Sequence, residues 1–160
     1  MFPRVLSTLQ ADVQDLDEAM FVRRYPDAWL IWENRPGERH NLPVTTQSMG
    51  AEGRLEARFE FEPAAYRLLG AIRTLTIGRN GDGILIKDST VSDKHLVLQQ
   101  AGGGEWTVED AGSRNGTTID GQPIPPTTPV PLQSGAKIQI GNVKLTFLSA
   151  SGLFHRLTAV

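Results

Sequence analysis

The chain has 160 residues, 39% of them hydrophobic, with 16 basic and 18 acidic side chains and no cysteine. That length suits one domain, or one domain with an extension, and the missing cysteines exclude a disulfide scaffold, a thiolate metal site and a cysteine nucleophile. The near-neutral charge argues against a general polyanion binder, so no nucleic-acid partner is expected. No apolar run approaches the roughly 18 residues of a membrane span and the first residues lack a signal-peptide core, so the expectation is a cytoplasmic protein without a membrane partner. The average hides two unlike parts. Residues 1–62 carry 11 acidic and 7 basic side chains, whereas residues 63–160 carry 7 and 9 and hold 13 of the 16 glycines.

In chain order, Leu6, Leu9, Val13, Leu16 and Met20 recur at spacings of three and four, which predicts an amphipathic helix over about 6–20. Ser7 and Gln10 fit a capping box at its start. Pro26 ends that region, and Ala28 to Trp32 reads as a short strand (about 28–33) with both faces covered, by the domain or by a partner. Residues 34–53 read as a long polar loop. Leu55, Ala57, Phe59 and Phe61 alternate with charged residues, the pattern of a strand with one wet face. Residues 63–69 fit a short helix or an irregular strand equally.

From there the chain reads as strand after short strand: 72–77, 84–86, 95–99, 105–109, 117–119, 137–140 and 143–149. Glycine-rich turns separate them, among them Asn80-Gly81-Asp82-Gly83 and Gly102-Gly103-Gly104. The fold class expected is all-β, a sandwich or barrel. The domain plan is an N-terminal extension over 1–53 containing the helix, a β-sandwich over 54–150 and a tail over 151–160. Within that tail, Leu153 to Leu157 fits a short helix closing an open end of the sandwich.

Several chemistries find no support. Gly78-x-x-Gly81-x-Gly83 has the wrong glycine order for a dinucleotide loop, and there is no Walker A lysine-serine pair. His40, His95 and His155 are dispersed, without metal-ligand spacing. Ser92 and His95 are three apart but lack a carboxylate orienter or nucleophile elbow. The expectation is a non-enzymatic protein with no catalytic residues, no metal and no cofactor. What remains is a set of polar loops: Gly78-Arg79, Ser92-Asp93-Lys94-His95, and Asp110 to Thr117. A sandwich gathers loops at its two ends, so these can meet. An arginine fork, serine hydroxyls and an asparagine amide meeting there suit an anion and a peptide backbone.

The motifs Ile77-Gly78-Arg79, Ser92-x-x-His95, Ser113-x-Asn115-Gly116-Thr117 and Leu132-x-x-Gly135-x-Lys137-Ile138-x-Ile140-Gly141 occur in an order and at separations that resemble the forkhead-associated (FHA) domain. The resemblance covers about residues 70–149. It implies an eleven-stranded sandwich whose apical loops bind a phosphothreonine-containing protein or peptide, as an adaptor in Ser/Thr kinase signalling. Carried over, it implies Arg79 and Ser92 on the phosphate, Asn115 on the ligand backbone and Arg114 as a further contact. Asp93, Lys94, Ser113 and Thr117 are secondary candidates. His95 would brace the loop that presents Ser92, and Gly78 and Gly116 would permit tight turns. One position departs from the family: the residue after the serine, usually Arg, Lys or Asn, is Asp93. A carboxylate about 7 Å from a phosphate dianion costs roughly 1–5 kcal/mol, against about 1.5–3 kcal/mol returned by each charge-assisted hydrogen bond. Lys94 and Arg114 are the candidates to offset that charge or to pair with Asp93. The competing expectation is a phosphate-independent scaffold that keeps the fold for protein–protein contact, with room for a homo-oligomer through residues 1–53.

Overall fold

The computed structural model describes residues 2–37 and 61–159. Twelve strands lie among them: β1 (Arg4–Val5), β2 (Ala28–Trp32), β3 (Ala64–Leu68), β4 (Thr74–Gly78), β5 (Ile84–Leu85), β6 (Leu96–Gln100), β7 (Trp106–Asp110), β8 (Thr117–Ile119), β9 (Gln122–Pro123), β10 (Val130–Pro131), β11 (Lys137–Ile140) and β12 (Val143–Leu148). One sheet runs β1-β3-β2-β12-β11-β8-β9 and the other β10-β7-β6-β4-β5. Pairing is antiparallel except between β4 and β5, where Ile77 faces Ile84.

The strands form where apolar residues alternate. In β7, Trp106 and Val108 point inward, and in β11, Ile138 and Ile140 do so. These side chains meet Leu30, Ile77, Leu96, Leu98 and Leu145 in the core between the sheets. The ambiguous stretch at 63–69 is strand β3, paired with β2 through Ile31 and Ala65. The alternating stretch from Leu55 lies outside the described residues apart from Phe61, which bridges to Pro36.

The expected strand at 28–33 is β2, and it sits inside the larger sheet between β3 and β12. Both of its faces are covered by this chain. Leu30 and Trp32 belong to the core between the sheets, while Trp29 and Ile31 join a second core on the sheet's outer side.

That second core is roofed by three helices: α1 (Leu6–Asp12), α2 (Glu18–Arg24) and α3 (Ala150–Thr158). The single helix expected over 6–20 is therefore two. Val13 ends α1, and the Asp17 carboxylate accepts the Met20 N–H at 2.8 Å and starts α2. This restart turns Phe21 and Tyr25 inward and leaves Met20, counted in the apolar stripe, 45% exposed. Ser7 does not cap α1; Val5 stands at that position, held in β1, and no side chain caps it. Helix α3 does not close an end of the sandwich. Leu153 and Leu157 pack with Leu9 and Phe21 over Trp29, Ile31 and Leu148.

Burying one Leu or Phe contributes about 1.5–3 kcal/mol, whereas an exposed ion pair such as Arg4–Asp12 contributes about 0–1 kcal/mol. Apolar packing therefore holds the helical layer. It is pinned at one edge by Glu33, which accepts from Arg156 at 2.7 and 2.8 Å and from the Thr146 hydroxyl at 2.6 Å. Burial pushes the Glu33 carboxyl up, but the bonds from Arg156 and Thr146 outweigh it and hold it below its usual range.

Candidate functional site

The three polar loops meet at one end of the sandwich because the strands that carry them pair in register. Strand β4 pairs with β6, so the Gly78-Arg79 turn lies beside Ser92 to Lys94. The backbones are joined directly: Arg79 N–H donates to the Ser92 carbonyl at 3.0 Å and Asn80 N–H to the Asp93 carbonyl at 3.2 Å. Gly78 makes this approach possible. A Cβ there would lie 2.1 Å from the Asp93 carbonyl oxygen.

His95 is fully buried and links the second loop to the third. Its Nδ1 accepts the Ser92 N–H at 3.1 Å, and its Nε2 lies 2.9 Å from the Gly116 carbonyl. An Nδ1 that accepts must be bare, so the proton sits on Nε2 and is donated to Gly116. His95 thus ties the Ser92 N–H to the Gly116 carbonyl. Gly116 itself has φ +75°, in the region that favours glycine.

Asp110 organises the third loop from beneath. Its carboxylate accepts the N–H groups of Gly112 and Ser113 at 2.8 Å each and the hydroxyls of Ser113 and Thr117. Burial pushes this carboxyl up, yet those hydrogen bonds prevail and lower it below the ordinary carboxylate range. Ser113 and Thr117, secondary candidates for ligand contact, thus turn their hydroxyls to Asp110, and Thr117 is buried.

Six of the candidate residues remain at the surface of the cluster: Arg79, Ser92, Asp93, Lys94, Arg114 and Asn115. Ser92 Oγ accepts the Arg114 N–H at 3.0 Å. A hydroxyl has one hydrogen and two lone pairs, so Ser92 keeps its hydrogen for a further acceptor. Arg114 and Asn115 are exposed. Asn115 Nδ2 donates to the Thr90 carbonyl at 2.7 Å, which orients the amide and presents its oxygen. Arg79 is 44% exposed, and its Nε and Nη2 groups face Asp93 Oδ1 at 3.3 and 3.2 Å. Lys94 is exposed beside them.

The partner of Asp93 differs from expectation. It is Arg79 itself, with Asn80 Nδ2 donating to the same oxygen at 2.7 Å, rather than Lys94 or Arg114. Asn80, Thr90 and Asp110 are residues that motif reading passed over. Only Asp110 carried a local signal, since Asp-x-Gly-Ser is an Asx-turn pattern. The roles of Asn80 and Thr90 arise from contacts across 13 and 25 residues.

A buried histidine brace, a turn organised by a carboxylate and an arginine-serine-asparagine surface on a two-sheet sandwich define a loop-presenting recognition module. The FHA domain family model matches residues 75–141. The oxoglutarate dehydrogenase inhibitor of Corynebacterium jeikeium is 36% identical over 124 residues, covering 76% of this chain and 83% of that protein. The FHA domain-containing protein FhaB of Mycolicibacterium smegmatis is 32% identical over 138 residues, covering 86% of this chain and 80% of its own. This chain belongs to the FHA domain family. It spans 46% of another relative, the glycogen accumulation regulator GarA of Mycolicibacterium smegmatis, at 38% identity over 77 residues that make up 48% of this chain. It spans only 18% of an FHA domain-containing protein of Arabidopsis thaliana, at 39% identity over 42% of this chain. The fold matches the FHA domain of CT664 from Chlamydia trachomatis, with TM-score 0.53 and 15% identity over 76% of this chain and 97% of that one. It also matches the FHA domain of an Arabidopsis thaliana hypothetical protein, with TM-score 0.54 and 24% identity over 77% of this chain and 86% of that one. Among the described residues no helix is long and apolar enough to cross a membrane.

Proposed function

We propose that the loop cluster binds a phosphothreonine-bearing segment of a partner protein, and that the chain works as a non-enzymatic cytoplasmic adaptor in Ser/Thr kinase signalling. The observation that carries this reading is the Ser92 hydroxyl. It is fixed by the Arg114 N–H, keeps its hydrogen to donate, and belongs to a loop whose backbone is bonded to Arg79. Arg79 supplies charge to a phosphate and Asn115 supplies an amide to the ligand backbone. Family membership and relatives named as regulators and inhibitors support a binding role over a catalytic one.

Calorimetric titration of matched phosphothreonine and threonine peptides tests it. The phosphopeptide should bind at least tenfold more tightly. Arg79→Ala should remove about 10- to 150-fold of that affinity, the equivalent of one charge-assisted interaction of about 1.5–3 kcal/mol.

One observation favours a second reading, phosphate-independent protein binding: Arg79 already has an anion, the Asp93 carboxylate, within hydrogen-bonding reach. Equal affinity for the two peptides, unchanged by Arg79→Ala, would select it.

A further inference from the structure

Asp93 is anchored beside Arg79 by its backbone and by a second side-chain donor. Its backbone is held at three points: the Asp93 carbonyl accepts the Asn80 N–H at 3.2 Å, the preceding carbonyl of Ser92 accepts the Arg79 N–H at 3.0 Å, and Gly78 packs against the Asp93 carbonyl with no room for a Cβ. Its side chain is further held by Asn80 Nδ2 at 2.7 Å, a bond that does not depend on Arg79. When an anionic ligand takes the Arg79 guanidinium, Asp93 therefore stays beside it, keeps Asn80 and loses its cation. The side chain of Asp93 is 64% exposed, so a ligand can reach it.

Among the described residues neither Lys94 nor Arg114 makes an ion pair or hydrogen bond with the Asp93 carboxylate, whose partners are Arg79 and Asn80. Asp82 and Lys94 border the same shallow cleft as Asn80, and they carry opposite signs. The bound state would thus hold an unpaired carboxylate next to the ligand's anion. The simplest remedy is a cation on the ligand itself.

We infer that the peptide recognised at this site carries a lysine or arginine within three residues of its phosphothreonine, and that Asp93 is the residue that selects it. This rests on the phosphothreonine reading above. An extended peptide advances about 3.3 Å per residue and a basic side chain reaches several ångströms further, so a flanking cation can span from the phosphate on Arg79 to Asp93. An exposed ion pair is worth up to about 1 kcal/mol, and a preference of about two- to fivefold at low salt corresponds to about 0.4–1 kcal/mol.

The experiment uses the full chain and phosphothreonine peptides that differ only in flanking residues, alanine against lysine at each of the three positions on either side, each with its unphosphorylated twin. Affinities are read by fluorescence polarisation for wild type, Asp93→Asn and Asp82→Asn. In wild type at least one lysine peptide should bind two- to fivefold more tightly than the alanine peptide, and the gain should shrink as salt is raised. Asp93→Asn should bind the alanine peptide more tightly than wild type does and lose the lysine preference, while Asp82→Asn keeps it. Phosphate-dependent binding with no lysine preference, or a preference retained in Asp93→Asn, overturns the inference and leaves the phosphothreonine reading standing. Loss of phosphate discrimination in every peptide and every variant overturns that reading, and the inference with it.

Discussion

The Nε2 of His95 lies 2.9 Å from the carbonyl oxygen of Gly116, 21 residues further along the chain, and both ring nitrogens of this buried side chain are engaged. Removing the ring leaves the Ser92 N–H and the Gly116 carbonyl without their partner and opens a cavity. His95→Ala should destabilise the fold by about 2–4 kcal/mol in urea unfolding. It should also weaken peptide binding in conditions where the variant remains folded, because the Ser92 and Asn115 loops lose their common brace.

Gly78 and Gly103 should respond differently to the same substitution. Gly78→Ala drives a Cβ to 2.1 Å from the Asp93 carbonyl, so backbone must move, at a cost of about 1–3 kcal/mol. Gly103→Ala meets nothing within 4 Å and should be neutral or mildly stabilising through the unfolded chain. Melting temperatures of the two variants make the comparison.

The carboxyls of Glu33 and Asp110 are both held below their usual range, the first by Arg156 and Thr146 and the second by Ser113, Thr117 and backbone N–H groups, in each case against burial. A depressed folded-state pKa means that the unfolded chain binds protons first. The stabilisation is therefore complete above the ordinary carboxylate pKa of about 4 and is lost as pH falls through that value toward the folded one. Urea midpoints should be flat with respect to these groups from pH 7 to about 5 and drop below about pH 4. Asp110→Asn and Glu33→Gln should each lower the neutral-pH midpoint and flatten the acid limb.

The two helix starts give a further comparison. Asp17→Ala removes the carboxylate that accepts the Met20 N–H and should cost about 1 kcal/mol. Ser7→Ala touches no cap and should change the unfolding free energy by less than about 0.5 kcal/mol.

The strands β8 and β11 were readable to the residue, because a period of two between glycine turns is a local property of the chain. The loop motifs stood out as short local patterns, but their partners are distant: His95 meets Gly116 across 21 residues, Ser92 meets Arg114 across 22 and Asn115 meets Thr90 across 25. The helix break at Asp17 was less visible, since the apolar spacing runs across it and only the packing of Phe21 shows which face is buried. The positions of β9 and β10 carried no periodic signal, being two residues long.

Near-neutral composition and the absence of cysteine still hold after the structure is known, and they sit beside a charged loop site without conflict. By itself, the sequence determined the strands of the sandwich and the turns between them, because alternation and turn chemistry act over a few residues. Tertiary structure alone decided that α1, α2 and α3 roof the outer face of β2, and that Asp93 turns to Arg79 and Asn80. Both depend on which distant segments meet, and that is set by burying Trp29, Ile31 and Leu153 together and by the pairing of β4 with β6.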